Sequence, residues 1–136
     1  PAMQQSTAEL RAALPDRVAM KDAVFNLSHT GLLVAALSQG RLDLLRAAMA
    51  DRIHQHVRTA GIAGFDAVVD GAQDAGALAT VLSGAGATVI AFVDGRDGVE
   101  EAVGQAMAAA FAAAGLASRV RAVAPRLEGA TRFRLS

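Results

Sequence analysis

The sequence predicts an α+β domain in which helices pack on one face of a four-stranded antiparallel sheet. Three observations lead to this prediction: five segments with apolar residues at helical spacing, two β-branched runs around a glycine-rich turn, and two alternating stretches near the carboxyl end. The order of helices, two strands, a helix and two strands is typical of helices segregated to one face of a sheet. No repeat or linker divides residues 1–136, so we expect a single domain.

The first two helices are predicted on either side of Pro15. Ser6 and Glu9 have the spacing of a capping box, so a short helix is expected between them and Pro15. A longer helix is expected from near Asp22, and its apolar residues cover so much of its circumference that we predict burial on more than one side. These residues are Val24, Leu27, Leu32, Leu33, Val34 and Leu37.

Two further helices are predicted in the middle of the chain. One is expected from about Leu42 toward His54, followed by a loop over Val57–Gly64 that contains two glycines. The next begins at Phe65, where apolar residues recur at helical spacing, and Gly76 closes it. The methionines expected to fill gaps in the core are Met20, Met49 and Met107.

Two β-branched runs, Ala79–Leu82 and Thr88–Val93, predict neighbouring strands. The turn between them consists of Ser83, Gly84, Ala85 and Gly86. Two glycines in this turn allow the backbone to approach a ligand or another loop with its N–H groups directed outward. Taken alone, such a turn is more often a tight hairpin than a binding site, and both interpretations stay open at this point.

The last third of the chain predicts one helix and two strands. Asp97 and Glu100 have the spacing of a second helix cap, and the helix is expected to end at Gly115. Alternating residues over Arg119–Val123 and Thr131–Leu135 predict the remaining two strands of the sheet.

Composition excludes several classes of function. Thirteen basic and thirteen acidic residues leave no net charge to attract nucleic acid, and the absence of Trp and Tyr removes the usual platforms for stacking bases. The chain has no cysteine, which excludes disulfides and thiolate metal sites. The uncharged stretch Ala75–Val93 is interrupted by Gly and Ser, so we expect a turn there and no membrane span. We therefore predict a cytoplasmic protein that binds neither nucleic acid nor membrane.

Five separated segments resemble one protein family. They are Ser6–Pro15, Asp22–Asn26, Asp51–Gln55 with Arg58, Gly76–Leu78 leading into Ser83–Gly86, and Gly129–Arg132. In this order they resemble the carboxyl-terminal domain of homoserine kinases, members of the GHMP kinase superfamily with galactokinase, mevalonate kinase and phosphomevalonate kinase. The resemblance implies a ferredoxin-like domain and transfer of the ATP γ-phosphate to the hydroxyl of L-homoserine, a step of threonine biosynthesis.

The same resemblance implies where the substrate binds. Two arginines that hold the substrate carboxylate in the family match Arg11 and Arg58, and Thr7 would lie near the substrate. A planar guanidinium suits this role because it binds a carboxylate through two parallel hydrogen bonds. Considered without the family, Thr7 would merely cap the first helix and each arginine would form a surface ion pair.

The catalytic parts of the family are missing from the sequence. No glycine- and serine-rich loop opens a helix to hold ATP phosphates, and no acidic pair for Mg²⁺ stands out. We assign no catalytic residue. The side chains of His54 and His56 would point in different directions on a helix, so we predict no metal site there. We therefore expect a fragment that lacks the ATP-binding amino-terminal half and is inactive alone. The expected partners are L-homoserine, the missing amino-terminal half and further copies of the chain in a homo-oligomer. ATP and Mg²⁺ would be cofactors of the complete enzyme only.

Two alternatives and one departure accompany this prediction. One alternative to a homoserine kinase fragment is a non-catalytic α+β module for small-molecule binding or oligomerisation. The other is a fragment of another GHMP kinase. The family commonly has proline where this chain has His56, Ala63 and Ala87, and the backbone near Arg58 and the glycine-rich turn therefore loses φ restraints.

Overall fold

The structure is a computed structural model that describes residues 1–3, 6–125 and 128–129. Its regular elements confirm the α+β class and are, in chain order, α1 Thr7–Ala12, α2 Met20–Ser38, a 3₁₀ turn Leu42–Leu44, α3 Leu45–Ala48, α4 Gln55–Thr59, α5 Phe65–Asp74, β1 Ala79–Leu82, β2 Val89–Phe92 and α6 Val99–Ala113. Helix α2 lies where a long helix was predicted, but the predicted burial on more than one side is wrong, because Val24, Leu27, Val34 and Leu37 are each more than half exposed. No helix in the described ranges is long and apolar enough to cross a membrane.

The sheet has two strands in the described part of the chain, so the prediction of four strands is wrong for the residues that can be checked. Strands β1 and β2 pair antiparallel, with Ala79 opposite Phe92 and Leu82 opposite Val89. The segment Arg119–Val123 has no regular secondary structure, and the predicted strand Thr131–Leu135 lies outside the described residues. Alternation alone does not make a strand, because the backbone also needs a neighbouring strand to complete its hydrogen bonds.

The helix predicted from about Leu42 toward His54 begins where expected but is wrong beyond Ala48. The chain forms only a 3₁₀ turn and the four-residue α3 before it leaves helical geometry after Ala48. The carboxylate of Asp51 then accepts backbone N–H groups of residues 53–55, and α4 begins at Gln55, so its last three residues lie inside the segment predicted as a loop. These N–H groups bind the Asp51 side chain, so they are not available to extend the preceding helix toward His54.

The core lies between the hairpin and the pair of helices α5 and α6. Its buried side chains are Ile62, Phe65, Val68, Leu82, Ala87 and Phe111, and a second group consists of Ala72, Ala77 and Val103. Helix α6 begins after Gly98 in the left-handed region, with no side-chain cap, so the predicted cap at Asp97 is wrong. Met107 packs against the core as expected, whereas Met20 is 78% exposed and is not a core residue.

Candidate functional site

Asp51 organises the segment that leads into α4. Its Oδ1 accepts hydrogen bonds from the backbone N–H groups of Ile53 (2.9 Å), His54 (2.7 Å) and Gln55 (2.8 Å). Its Oδ2 accepts a hydrogen bond from Asn26 Nδ2 at 2.6 Å and lies 3.1 Å from His54 Nε2. One carboxylate thus accepts the N–H group of Gln55, the first residue of α4, and those of the two residues before it.

The charge of Asp51 is stabilised by these contacts. Burial is the largest single influence and acts to raise the pKa of the Asp51 carboxyl, because it penalises the charged form. The hydrogen bonds from Gln55, His54, Asn26 and Ile53 together outweigh burial and hold that pKa below its ordinary value. Asp51 is therefore an ionised structural anchor at neutral pH.

Asn26 joins this anchor to α2. Its Oδ1 accepts the backbone N–H of Arg52 at 3.0 Å, while its Nδ2 donates to Asp51. The adjacent Phe25 ring stacks on His29 with ring centroids 3.7 Å apart, and the Arg52 guanidinium lies 3.8 Å from the centre of the same ring. The amide and the stacked ring fix the position of the residue 51–55 segment against α2.

Helix α4 in turn holds the β1–β2 hairpin by two hydrogen bonds. Gln55 Oε1 accepts the backbone N–H of Leu82 at 3.0 Å, and Arg58 Nη1 donates to the carbonyl oxygen of Gly84 at 3.0 Å. The Nε atom of Arg58 is buried and has no hydrogen-bond partner among the described residues. The guanidinium is thus fixed on one side by the glycine-rich turn, while a donor on its other edge remains unused.

The turn itself has the backbone conformation that its glycines permit. Gly84 and Gly86 have φ angles of +63° and +101°, and the peptide bond between Gly86 and Ala87 is cis. The N–H of Ser83 donates to Thr88 O at 2.8 Å, and the N–H of Gly86 donates to Ser83 O at 3.3 Å. The expectation that the loop directs its N–H groups outward is therefore wrong for these two, which bind within the hairpin.

Helix α1 presents the other two predicted substrate residues. Thr7 and Arg11 are both exposed, one turn apart, and the cap of this helix is Ser6, whose Oγ accepts the N–H of Glu9 at 3.4 Å. Thr7 is thus free of the capping role that was its alternative explanation. Within the described ranges, no hydrogen bond or ion pair joins Thr7 or Arg11 to Arg58.

Sequence reasoning missed the residues that connect these parts. Asp51, Gln55 and Asn26 were noted only as parts of family-like segments, and their partners lie about 25 residues away in the chain. The one available signal was an Asp placed just before a short polar stretch, which is typical of a helix cap. No cluster of three metal-ligating side chains occurs in the part of the chain that the structure describes.

Comparison with known proteins places these features in a family. The sequence profile described as GHMP kinases C terminal matches residues 33–120. A homoserine kinase from Moorella thermoacetica is 46% identical over 130 residues, which are 96% of this chain and 43% of that protein. One from Persephonella marina is 41% identical over 130 residues, or 96% of this chain and 42% of the relative.

A solved structure is also similar. The crystal structure of homoserine kinase from Cytophaga hutchinsonii matches with a TM-score of 0.78 and 34% sequence identity, over 83% of this chain and 36% of that one. The chain thus spans less than half the length of the curated relatives it matches.

Proposed function

This chain belongs to the GHMP kinases, and on that premise we propose that it works as the carboxyl-terminal part of a homoserine kinase. The complete enzyme would transfer the γ-phosphate of ATP to the side-chain hydroxyl of L-homoserine. This chain would supply part of the site for the amino-acid substrate. The similarity to homoserine kinases over 96% of the chain supports this substrate over the sugars and mevalonates of other superfamily members.

The observation on which the proposal most depends is the position of Arg58. A guanidinium offers two edges for hydrogen bonding, and here Nη1 is engaged by the carbonyl oxygen of Gly84. Nε is buried and has no partner among the described residues, so a carboxylate that reaches this edge when the site opens would pair it through two parallel hydrogen bonds. Arg58 would therefore hold the substrate carboxylate while Gly84 fixes the plane of its side chain.

We further propose that Thr7 and Arg11 complete this site from α1. Both are exposed and one helical turn apart, so they are available to a ligand that approaches the same side of the helix. A carboxylate held by two arginines is oriented as well as neutralised, and phosphoryl transfer depends mainly on such positioning. The turn Ser83–Gly86 would act as a support for Arg58.

The nucleotide would be held outside this chain. The sequence contains no phosphate-binding loop and no acidic pair for Mg²⁺, so the residues present do not fit ATP or its metal. We therefore propose a single domain that is inactive alone and needs an amino-terminal half to supply ATP, Mg²⁺ and the catalytic groups. A cytoplasmic location fits an enzyme that uses ATP and a free amino acid.

A kinetic comparison tests this function. The chain, fused to the amino-terminal part of the Moorella thermoacetica relative, would be assayed for homoserine-dependent ADP release with and without Arg58→Ala. Losing a charge-assisted contact to a carboxylate costs about 1.5–3 kcal/mol, or roughly tenfold to a hundredfold in kcat/KM for homoserine. The KM for ATP should stay nearly constant.

The matched control is Arg96→Ala, because Arg96 is exposed and pairs only with Asp94 among the described residues. This variant should keep both KM values. A rise in the ATP KM with Arg58→Ala would contradict the substrate assignment. A fusion that folds but phosphorylates no homoserine would favour another GHMP kinase or a non-catalytic module.

A further inference from the structure

Aspartate is followed by glycine at three places in the chain, Asp70–Gly71, Asp94–Gly95 and Asp97–Gly98. An aspartate in this position can react with its own backbone, because glycine has no Cβ to shield its amide nitrogen from the neighbouring carboxyl carbon. The reaction needs a free carboxyl group, a free amide N–H group and a peptide unit that can rotate. The three places differ in these respects.

The first place is held by a helix. Asp70 and Gly71 lie inside α5, which spans Phe65–Asp74. Helix hydrogen bonds occupy the N–H group of Gly71 and fix the peptide unit between the two residues. We therefore expect Asp70 to be protected from the reaction in the folded chain.

The second place is held by a side chain. Asp94 Oδ1 accepts the backbone N–H of Arg96 at 3.3 Å and its Nε–H at 3.0 Å, and Asp94 Oδ2 lies 2.8 Å from the same Nε. The side-chain hydrogen bond from Arg96 lowers the pKa of the Asp94 carboxyl, so less of its acid form, from which water can leave, is present at neutral pH. Both oxygens of Asp94 are thus engaged.

The third place has neither restraint. Asp97 and Gly98 are exposed and occupy a turn that is closed by the hydrogen bond from the Val99 N–H to Arg96 O at 3.1 Å. Among the described residues, the Asp97 carboxylate has no hydrogen bond or ion pair. The peptide unit between Asp97 and Gly98 likewise uses neither its carbonyl oxygen nor its N–H group in a hydrogen bond to that part of the chain. The reacting groups are therefore free, and no hydrogen bond of this peptide unit opposes its rotation.

We propose that Asp97 is a site of spontaneous isomerisation to isoaspartate in the folded chain. The amide nitrogen of Gly98 attacks the side-chain carboxyl carbon of Asp97, and the amide proton leaves with the carboxyl hydroxyl as water. The product is a succinimide ring, and a second water molecule opens it. Opening at the side-chain carbonyl restores aspartate, whereas opening at the backbone carbonyl gives isoaspartate, in which the main chain runs through the former side chain.

The modification would act on the packing of α6. Isoaspartate adds one carbon to the backbone two residues before Val99, the first residue of this helix. Val99 and Val103 pack in the group of buried residues that includes Ala72 of α5. We therefore expect the first turn of α6 to lose its position against α5 as the protein ages. This chemistry does not depend on the kinase function.

Oxygen labelling tests the proposal. The folded chain is kept for several weeks at neutral pH in water enriched in ¹⁸O, so that each ring that forms and opens leaves a heavy oxygen in a carboxyl group. Trypsin in ordinary water then cleaves after Arg58, Arg96 and Arg119, which places Asp97 alone among the aspartates in peptide 97–119 and the other two sites in peptide 59–96. We expect label in peptide 97–119, with isoaspartate as a second chromatographic peak of the same mass, and little label in peptide 59–96.

The matched control is Asp97→Glu, which keeps the charge near the start of α6 but would have to close a larger ring. This variant should lose the label and the second peak from peptide 97–119. Its melting temperature should stay constant on storage, while that of the unchanged protein falls. In guanidinium chloride both peptides of the unchanged protein should take up label, because α5 and the contact between Asp94 and Arg96 are then lost.

Three outcomes would overturn the proposal. The first is peptide 97–119 from the folded chain without label. The second is label in that peptide of Asp97→Glu, which would place the reaction at another residue. The third is equal labelling of the two peptides in the folded chain, which would show that the helix and Arg96 give no protection.

Discussion

Replacing Asp51 with alanine removes the acceptor on which α4 depends. Three backbone N–H groups lose their partner, and Asn26 loses the acceptor that joins it to the 51–55 segment. Loss of a helix cap costs about 0.5–2 kcal/mol, and loss of a hydrogen bond to a charged group about 1.5–3 kcal/mol. Because the two losses concern one side chain and are not additive, we expect a destabilisation of about 2–4 kcal/mol.

Thermal unfolding followed by circular dichroism measures this loss. A domain of this size shifts by roughly 4 °C for each kcal/mol, so Asp51→Ala should lower the melting temperature by about 8–16 °C. The matched control is Asp43→Ala, which removes an exposed carboxylate paired with Arg41 and should have a much smaller effect, because such surface pairs contribute little.

Acid titration adds a second measurement on the same residue. The pKa of Asp51 is lower in the folded chain than in the unfolded one, so its stabilisation is fully present above the unfolded pKa of about 4. It is lost as the pH falls through the lower folded pKa. Asp51→Asn keeps an acceptor oxygen but cannot titrate, so the difference in stability between wild type and this variant should shrink below pH 4. If Asp51→Ala and Asp43→Ala have the same melting temperature, the anchoring role of Asp51 is refuted.

Three other predictions concern single sites. Gly64→Ala should destabilise the chain more than Gly40→Ala in urea unfolding, because both have positive φ but only the Cβ at Gly64 would lie 2.6 Å from the Ala114 side chain; equal effects would show that α6 moves away freely. Gly84→Val should disturb the Arg58 contact by backbone strain alone, since no atom lies within 4 Å of the added Cβ, and an unchanged homoserine KM in the fused enzyme would show that the turn is only a spacer. Calorimetric titration of the chain with Mg·ATP should detect no micromolar binding, and such binding would contradict the placement of the nucleotide outside these residues.

The fold was predictable wherever the signal lies within a few residues. Helix α5 and the two strands of the hairpin follow from spacing that is set by their own side chains, and the structure confirms them. The arrangement of residues 51–55 was not predictable in this way, because the Asp51 carboxylate binds three backbone N–H groups and the distant Asn26 amide. The residues of Arg119–Val123 alternate like those of a strand. Whether a neighbouring strand is present to pair with them depends on the whole fold, which a local pattern does not show.

In the candidate site, too, local features were predictable from the sequence and long-range contacts were not. Arg58 was found through resemblance to a family, and its contact with Gly84, 26 residues away, was not visible in the sequence. The carboxylate anchor and the Gln55 contact with Leu82 are likewise long-range. Thr7 and Arg11 stay predictions, because no contact within the described residues relates them to Arg58.

The five residues of α4 have a consequence for how the chain folds. A helix of this length does not form alone, since nucleation is unfavourable and few hydrogen bonds follow it. Its own contacts reach 27 residues forward to Leu82 and 26 residues forward to Gly84, and Asp51 just before it reaches 25 residues back to Asn26. We therefore expect α4 to become ordered only once α2 and the hairpin are both in place, and to open early when either withdraws. The guanidinium of Arg58 would then be positioned late in folding, because its contact with Gly84 needs the hairpin and α4 to be in place together.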